Sequence, residues 1–316
     1  MPSAPAPSGS SNEVFASSLM KDKVLFVTGG GSGIGLGICI AFAKLGAKVA
    51  ICGRTEAKLA QAAEVIKRAG AADVFYAKAD VRKFEECEAV INAAGDRWGK
   101  IDVFVNNAAG NFMSLLEDVS PNAFSTVVDI DLRGSFHTSK AAIPWLRKAA
   151  AEGRGALMVN ISATLYYTAM PFQGHAAAAK AGIDSLTKTF AAELSDDGIR
   201  VVSIAPGPIE NTEGGPTGRV FGSLQSAKQD IRMTVPLGRY GTVDDIANTA
   251  IFLASPGGNF ITGTNIVVDG MQWQATGIGG ILSVKDRVRK AMQKQRDSHQ
   301  RGAGSKGHEG DKQSKL

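Results

Sequence analysis

The stretch "TGGGSGIG" at positions 28–35 directly follows the apolar run "KVLFVT" at 23–28. A glycine-rich turn between a buried strand and a helix lets the backbone approach a pyrophosphate, which the N–H groups and dipole of the helix then hold. The alternative is a glycine turn with a structural role only, but the strand before it and the helical pattern after it favour a dinucleotide site. The residues expected to line this site are Gly29, Gly30, Ser32, Gly33, Ile34 and Gly35.

The rest of the chain repeats the alternation of strand and helix that begins at this turn. Seven apolar, β-rich runs lie at 23–28, 47–52, 73–77, 101–105, 155–161, 200–205 and 264–268. Amphipathic helical patterns lie between them, near 34–45, 55–69, 83–98, 121–150, 174–195 and 243–254. The sequence therefore predicts an α/β protein with a Rossmann-type, doubly wound parallel sheet of seven strands and helices on both faces. We expect a single domain over 20–275, in which every strand except the last is followed by a helix.

The residues after the second strand predict which dinucleotide binds. An NAD-binding chain usually carries an acidic residue roughly 20 positions after the glycines, where it binds the 2′-hydroxyl of the adenine ribose. Here Gly53 stands at that place and Arg54 follows it. A guanidinium binds a 2′-phosphate through two hydrogen bonds, and Ser32 adds a hydroxyl donor, so the sequence favours NADP(H). The alternative for Arg54 is an ordinary surface arginine at a strand end.

The composition is typical of a globular domain with a large core. Of the 316 residues, 44% are hydrophobic and 21% are charged. Residues 281–316 contain ten Lys or Arg residues and four acidic residues, so the net charge of +5 belongs to this tail and the body is close to neutral. We therefore expect no nucleic-acid partner. The three cysteines and four histidines show no metal-binding spacing, and no apolar run reaches the roughly 18 residues that a membrane span requires.

The two ends of the chain differ in composition from the body. Residues 1–19 begin with a Pro-, Ser- and Ala-rich stretch that predicts a disordered leader, and 276–316 predict a basic C-terminal extension. The extension ends in Ser314-Lys315-Leu316, a tripeptide that the peroxisomal import receptor reads at a C-terminus. The Gly-, Lys- and Ser-rich residues before it cannot bury enough apolar surface to fold, so the signal should be accessible. We predict a location in the peroxisomal matrix, with an accidental match on a cytosolic protein as the alternative.

Several motifs along the chain resemble the short-chain dehydrogenase/reductase family. They are the glycine-rich turn, "AKAD" at 77–80, "NNAAG" at 106–110, "NIS" at 160–162, Lys180 and "APGPIENTEG" at 205–214. The resemblance implies that Asp80 and Val81 flank the adenine of the cofactor and that Asn107 supports it near the central strand. It also implies that four residues after the sixth strand contact the nicotinamide side, namely Pro206, Gly207, Ile209 and Thr212.

Two departures from the usual pattern of this family fall on catalytic positions. Most members carry Tyr-x-x-x-Lys, in which the tyrosine protonates a developing alkoxide and the lysine lowers the pKa of that tyrosine. Here Lys180 is present, but Ala176 stands at the tyrosine position and Asp131 at the position of the family's helix asparagine. Ser162 lies near the usual serine position, in a register that the sequence leaves open. Tyr166–Tyr167 follow on a strand-end loop, from which neither takes the place of the missing tyrosine.

This combination is similar to the 2,4-dienoyl-CoA reductases and in particular to their peroxisomal branch, since the mitochondrial branch carries a tyrosine where Leu165 stands here. The resemblance implies a fatty acyl-CoA substrate, to which hydride adds at Cδ. It further implies that Asp131 and Lys180 hold the water that protonates Cα, which leaves a 3-enoyl-CoA, and that Lys180 also contacts the nicotinamide ribose. The alternative for Asp131 is a local structural role in its helix.

Substrate contacts are expected at the carboxyl edge of the sheet, where ligands bind in doubly wound folds. The segment 208–239 predicts a lid over the acyl chain. The resemblance places three residues beside the CoA and acyl groups, namely Arg54, Arg82 and Phe112, and Arg219 is a further candidate because arginines are expected near the CoA phosphates. Arg219 equally suits an ordinary solvated charge. Because the helices that contain Asp131 and Lys180 often pair between subunits in this family, we expect a homo-dimer or homo-tetramer.

Two other functions stay open at this point. A carbonyl or 3-hydroxyacyl reductase of the same fold needs an acid at position 176, which an alanine cannot supply. An inert cofactor-binding scaffold would be favoured by loss of Lys180 or of the glycines, and both are present. The expectation is therefore a peroxisomal, NADPH-dependent reductase that acts on 2,4-dienoyl-CoA in the β-oxidation of unsaturated fatty acids.

Overall fold

The computed structural model describes residues 14–212 and 235–275, which contain one sheet of seven parallel strands. The strands lie in the order β3-β2-β1-β4-β5-β6-β7. Their bounds are β1 Val24–Thr28, β2 Lys48–Gly53, β3 Asp73–Lys78, β4 Val103–Asn106, β5 Ala156–Ile161, β6 Ile199–Pro206 and β7 Asn265–Val268. The predicted doubly wound sheet of seven parallel strands is confirmed.

The helices connect these strands as the sequence predicts, except that one predicted helix is divided and a short helix follows β7. Their bounds are α1 Gly33–Lys44, α2 Glu56–Arg68, α3 Phe84–Trp98, α4 Pro121–Val128, α5 Gly134–Ala149, α6 Gly174–Leu194, α7 Val243–Ala254 and α8 Gln272–Ala275. The single-turn α8 corrects the expectation that no helix follows the last strand. It forms because the carboxylate of Asp269 accepts hydrogen bonds from the backbone N–H groups of Met271 and Trp273, both at 2.8 Å.

Helices cover both faces of the sheet because successive residues of a strand point to opposite sides. Leu25 and Val27 of β1 join a buried cluster with α1, α2 and α7, whereas Val24 and Phe26 join a second cluster with α3, α5 and α6. On that second face the rings of Phe26 and Phe104 stack 5.3 Å apart. Strands buried on both sides are continuous apolar runs in the sequence, which is why their positions were predictable.

The helical pattern predicted over 121–150 forms separate elements in the structure. A π-helical turn at Asp129–Arg133 joins α4 to α5. Such a turn inserts one extra residue into a helix and is frequent at functional sites. Asp131 lies in this turn and is buried. Three residues later, Gly134 lies against the loop after β3, because a Cβ on Gly134 would be 2.7 Å from the side chain of Val81.

The domain begins earlier than residue 20, the boundary predicted from composition. Phe15 and Leu19 pack against the buried cluster that contains Met20. Packed structure therefore starts within the predicted leader 1–19, of which 1–13 lie outside the described residues. The predicted leader extends too far along the chain, because it was drawn from the Pro- and Ser-rich composition of its first residues and took no account of Phe15 and Leu19.

The predicted lid 208–239 is described at its two ends, since 213–234 lie outside the described residues, as does the extension 276–316. The backbone N–H of Gly241 donates to the carbonyl oxygen of Pro208 at 3.0 Å. The residues at the two ends of the segment therefore lie side by side at the carboxyl edge of the sheet. Within the described residues, no helix has both the length and the apolar character needed to cross a bilayer.

Candidate active site

The strand order creates a crevice at the carboxyl edge of the sheet, between β1 and β4. From β1 the chain continues to β2 on one side, and it later returns to β4 on the other side, so the loops after β1 and β4 diverge. Ligands of doubly wound sheets bind at such a point. The glycine-rich turn at 28–35 follows β1 and the "NNAAG" stretch at 106–110 follows β4, so both lie beside this crevice.

The glycine-rich turn packs closely against the loop after β4. Gly29 has a φ of +66°, and a Cβ on Gly35 would lie 2.4 Å from the amide nitrogen of Asn107. Asn107 donates from Nδ2 to the carbonyl oxygens of Thr28, at 3.0 Å, and Gly29, at 3.2 Å. Ser32 precedes α1 in an extended conformation, and its side chain does not cap the helix. The first N–H groups of α1 are thus suited to an anionic ligand, so a pyrophosphate fits the residues present.

The other predicted cofactor contacts border the same turn. A Cβ on Gly30 would lie 2.4 Å from the side chain of Ile51, so the turn lies tightly against β2. Gly33 and Ile34 open α1, and a Cβ on Gly33 would lie 3.8 Å from Thr212. The structure thus brings Thr212, from the segment after β6, to the glycine-rich turn. The predicted nicotinamide-side residues Pro206, Gly207, Ile209 and Thr212 all lie at the end of β6 or directly after it.

Arg54 and Asp80 lie near each other at the carboxyl ends of β2 and β3. Arg82 donates to Asp80 from Nε, at 3.0 Å, and from Nη2, at 2.5 Å, and this pairing lowers the pKa of Asp80. The charge of Arg54 lowers the same pKa by a smaller amount. Arg82 was expected beside the CoA, and its described bonds to Asp80 use Nε and Nη2, so the N–H groups of Nη1 can bind a phosphate while this pair is kept. Val81 is buried behind this pair, and Arg219 lies outside the described residues.

The structure brings Asp131 and Lys180 together, although 48 positions separate them in the sequence. The ammonium of Lys180 lies 3.2 Å from Oδ2 of Asp131 and donates to the carbonyl oxygen of Ile161 at 2.9 Å. The other carboxylate oxygen, Oδ1, accepts from the backbone N–H of Gly110 at 2.7 Å. Both side chains are buried. The loop after β4, the π-helical turn, the end of β5 and α6 therefore converge on this ion pair.

His175 is a site residue that the sequence analysis missed. Its ring stacks on that of Phe112 with centroids 4.1 Å apart, and its Nε2 lies 3.0 Å from the carbonyl oxygen of Phe112. Because a carbonyl only accepts hydrogen bonds, Nε2 carries the proton. Burial lowers the pKa of His175, although the bond to Phe112 and the charge of Asp131 partly offset this effect. The adjacent Ala176 is buried and presents only a methyl group at the usual tyrosine position.

A second set of contacts fixes Phe112 from the same side. The amide of Asn111 donates from Nδ2 to Oε1 of Gln173 at 2.5 Å, and Gln173 is fully buried at the start of α6. The carbonyl oxygen of Phe112 also lies 3.5 Å from Nε2 of Gln173. The loop after β4, which supplies the N–H of Gly110, is therefore fixed to the first turn of α6, which carries His175.

The loop after β5 settles the positions of the serine and the two tyrosines. Ser162 directly follows β5 and is buried, and its Oγ has no hydrogen-bond partner among the described residues. The hydroxyls of Tyr166 and Tyr167 donate to Oδ2 of Asp184, at 2.5 and 3.3 Å. Burial raises the pKa of both tyrosines, and the carboxylate of Asp184 raises it further. Both phenols are thus bound to a carboxylate one turn beyond Lys180, so neither occupies the usual tyrosine position.

Comparisons with known proteins identify the family of this chain. Residues 29–270 match the family model described as enoyl-(acyl carrier protein) reductase. The peroxisomal 2,4-dienoyl-CoA reductase of Saccharomyces cerevisiae, named as (3E)-enoyl-CoA-producing, is 43% identical over 258 residues, which cover 81% of this chain and 85% of the yeast protein. The Arabidopsis thaliana protein of the same description is 40% identical over 264 residues, covering 82% and 87%. A crystal structure of a short chain dehydrogenase from Bacillus anthracis has a TM-score of 0.69 and 39% identity, and covers 80% of this chain and 97% of its own.

The lowered pKa of His175 predicts how stability depends on pH. At pH values between the lowered pKa of folded His175 and the unfolded value of about 6.5, the unfolded chain binds more protons than the folded chain. The free energy of unfolding therefore rises with pH in this window, and the contribution of His175 is lost as the pH falls. His175→Gln removes the titrating group and keeps a donor for Phe112. Urea unfolding of both proteins from about pH 5 to about pH 8 measures the two slopes. Equal slopes below pH 6.5 would contradict this assignment.

Proposed function

Since this chain belongs to the short-chain dehydrogenase/reductase family, whose members are oxidoreductases, we propose that it reduces 2,4-dienoyl-CoA to 3-enoyl-CoA with NADPH. The observation that carries the proposal is the buried ion pair of Asp131 and Lys180 beside Ala176. Where a carbonyl reductase carries its phenol, this site has only the methyl group of Ala176, and a carboxylate, that of Asp131, stands at the position of the family's asparagine. The names of the yeast and plant relatives support the same substrate.

The proposed reaction explains why a tyrosine at position 176 is not needed. NADPH, when bound, supplies a hydride, and the δ carbon of the conjugated thioester accepts it. The electron pair that is displaced along the diene reaches the thioester oxygen, so negative charge develops there and not on an alkoxide beside the hydride. A proton then forms the new bond at Cα. The site must therefore hold a proton source near Cα and place donors near the thioester oxygen.

The hydrogen bonds of Lys180 and Asp131 suit the binding of a water as that proton source. A lysine has three N–H donors, and the one hydrogen bond described for Lys180, to the carbonyl oxygen of Ile161, uses one of them, while Asp131 is its ion-pair partner. The other two can bind a water and a ribose hydroxyl. Asp131 uses one lone pair on Oδ1 for Gly110, and further lone pairs can accept from the same water. We propose that this water delivers the proton to Cα and that Lys180 also holds the nicotinamide ribose.

The proposed cofactor preference depends on Arg54. It follows β2 at the carboxyl edge, and no acidic residue stands at the position that usually binds the ribose 2′-hydroxyl. The hydroxyl of Ser32, which does not cap α1, can add a donor. A 2′-phosphate would be bound at this place by the guanidinium of Arg54, which supports NADPH over NADH.

The proposed location is the peroxisomal matrix. The chain ends in Ser314-Lys315-Leu316, and the yeast and plant relatives are named peroxisomal. The import receptor would be one protein partner, and a homo-dimer or homo-tetramer is the proposed assembly. The complete proposal is thus a matrix reductase for the fatty acyl-CoA dienes that arise when unsaturated fatty acids undergo β-oxidation.

Asp131→Asn tests the proton relay with little change of shape. It keeps an acceptor for the N–H of Gly110 but removes the negative charge, so reduction of 2,4-hexadienoyl-CoA should slow by about 100-fold or more. NADPH affinity should stay close to the original value. Turnover is followed as NADPH oxidation, and affinity by titration of cofactor fluorescence. Asp129→Asn, the same change two residues earlier at an exposed ion pair with Arg133, is the matched control and should keep full turnover. Full turnover in Asp131→Asn would exclude the relay.

The same assay separates the proposed function from the alternative reductase activity. The original protein should oxidise NADPH with the dienoyl-CoA and not with a 3-ketoacyl-CoA, because Ala176 supplies no acid for an alkoxide. Reduction of the 3-ketoacyl-CoA alone would overturn the proposal.

Arg54→Asp tests the cofactor preference. It replaces the proposed partner of the 2′-phosphate with a like charge, so the Kd for NADPH should rise by about tenfold or more, as expected for the loss of a charge-assisted pair. The Kd for NADH should change less. Arg68→Asp, the same charge reversal at the exposed end of α2, serves as the control. Equal affinity of the original protein for NADPH and NADH would refute the preference.

Deletion of Ser314–Leu316 tests the location. The truncated protein should keep its turnover, because the domain ends before the extension, but it should stay in the cytosol when expressed in cells. The intact chain should co-localise with a peroxisomal marker under the same conditions. A truncated protein that still enters peroxisomes would show that another signal directs import.

A further inference from the structure

Two loops beside Asp131 and Lys180 present apolar side chains to solvent. These loops, residues 107–116 after β4 and 162–173 after β5, contain no Asp, Glu, Lys or Arg. Among their large apolar side chains, three are substantially exposed: Leu115 at 46%, Leu116 at 60% and Phe172 at 44%. Single exposed apolar residues are common on protein surfaces, but a cluster of them beside a site indicates binding.

The three exposed side chains belong to one continuous surface, which we call the apolar platform (Leu115, Leu116 and Phe172). The backbone N–H of Ser114 donates to the carbonyl oxygen of Phe172 at 3.2 Å, so the two loops are hydrogen-bonded to each other. The side chain of Leu116 lies against the backbone after Phe172, because a Cβ on Gly174 would be 2.9 Å from Cδ1 of Leu116.

One loop connects the apolar platform to the ion pair. The loop after β4 contains Gly110, whose N–H binds Asp131, and reaches Leu116 six residues later. Six residues span at most about 20 Å, so Leu116 lies within that distance of Gly110. Met113, between them in the sequence, is half-buried and can adapt its flexible side chain to an alkyl group.

The conformation of Phe172 supports a binding role. Its φ of +67° lies in the left-handed region, which disfavours a large side chain. Such a conformation persists where the surroundings fix it, and it is frequent at ligand sites. Here the next residue, Gln173, is fully buried and bonded to Asn111, so the backbone around Phe172 is fixed while its ring faces outward.

We propose that the apolar platform binds the hydrocarbon tail of the acyl-CoA, beyond the conjugated carbons. This inference rests on the proposed function. A saturated tail offers no polar group, and the two uncharged loops require none. Each methylene that such a surface covers fully can raise kcat/KM by about fourfold, so the platform favours long tails over short ones.

A double variant tests the role of the apolar platform. Leu116→Gln keeps the length of the side chain, and Phe172→Asn introduces a residue that tolerates the left-handed conformation, so both changes remove apolar surface without disturbing the backbone. The ratio of kcat/KM for 2,4-dodecadienoyl-CoA to that for 2,4-hexadienoyl-CoA should fall on the order of tenfold. Phe260→Asn, at a fully exposed phenylalanine on the opposite edge of the sheet, is the control and should keep the original ratio.

Binding measurements make this result independent of turnover. The Kd values of saturated hexanoyl-CoA and dodecanoyl-CoA, measured by calorimetry in the presence of NADP, should diverge in the original protein and converge in the double variant. If the original protein bound dodecanoyl-CoA more tightly than hexanoyl-CoA but reduced no dienoyl-CoA, the role of the platform would be supported and the proposed function would be refuted. The platform would be refuted if the double variant kept the original ratio of kcat/KM for the two substrates, with kcat/KM lowered equally at both tail lengths. An unchanged ratio together with a change of the protein's mass in solution would refute it as well.

Discussion

A buried carboxylate and a buried ammonium, those of Asp131 and Lys180, meet 3.2 Å apart at the carboxyl edge of the sheet. Neither charge is tolerated there alone, because removal of one partner from a buried ion pair costs about 3–5 kcal/mol. Asp131 also accepts a hydrogen bond from the N–H of Gly110, and Lys180 donates one to the carbonyl oxygen of Ile161. The loop after β4, the end of β5, the π-helical turn and α6 must therefore all lie next to this ion pair. This requirement fixes the relative positions of the loops that line the crevice.

The fold was predictable because its signals are local. Strands with two buried faces form apolar runs, and the glycine-rich turn at 28–35 identifies the first strand and the first helix. The π-helical turn at Asp129–Arg133 was not predictable, because one inserted residue barely changes the helical period over 121–150. The helix α8 was not predictable either, because its single turn depends on capping by Asp269 and not on a periodic pattern.

The residue types of the candidate site could be proposed from the sequence, whereas their contacts could not. Asp131 and Lys180 were identified through resemblance to a family, whereas their distance and burial depend on tertiary structure. His175 was missed because a histidine in an alanine-rich helix gives no local sign of its stacking on Phe112. The pairing of Arg82 with Asp80 was missed for a similar reason, since the spacing of two residues in a loop does not determine whether the side chains meet.

The two departures at positions 131 and 176 are physically coupled. A tyrosine acid requires a lysine whose charge lowers the pKa of the phenol. In this site the charge of Lys180 is directed at Asp131, and Ala176 leaves no phenol to activate. A chain that had merely lost its acid would gain nothing from a buried carboxylate, which is costly unless it is paired and hydrogen-bonded. Because Asp131 is both paired with Lys180 and bonded to Gly110, its carboxylate is an integral part of the site, and an ion pair without a phenol suits a reaction whose negative charge develops on a thioester oxygen away from the hydride.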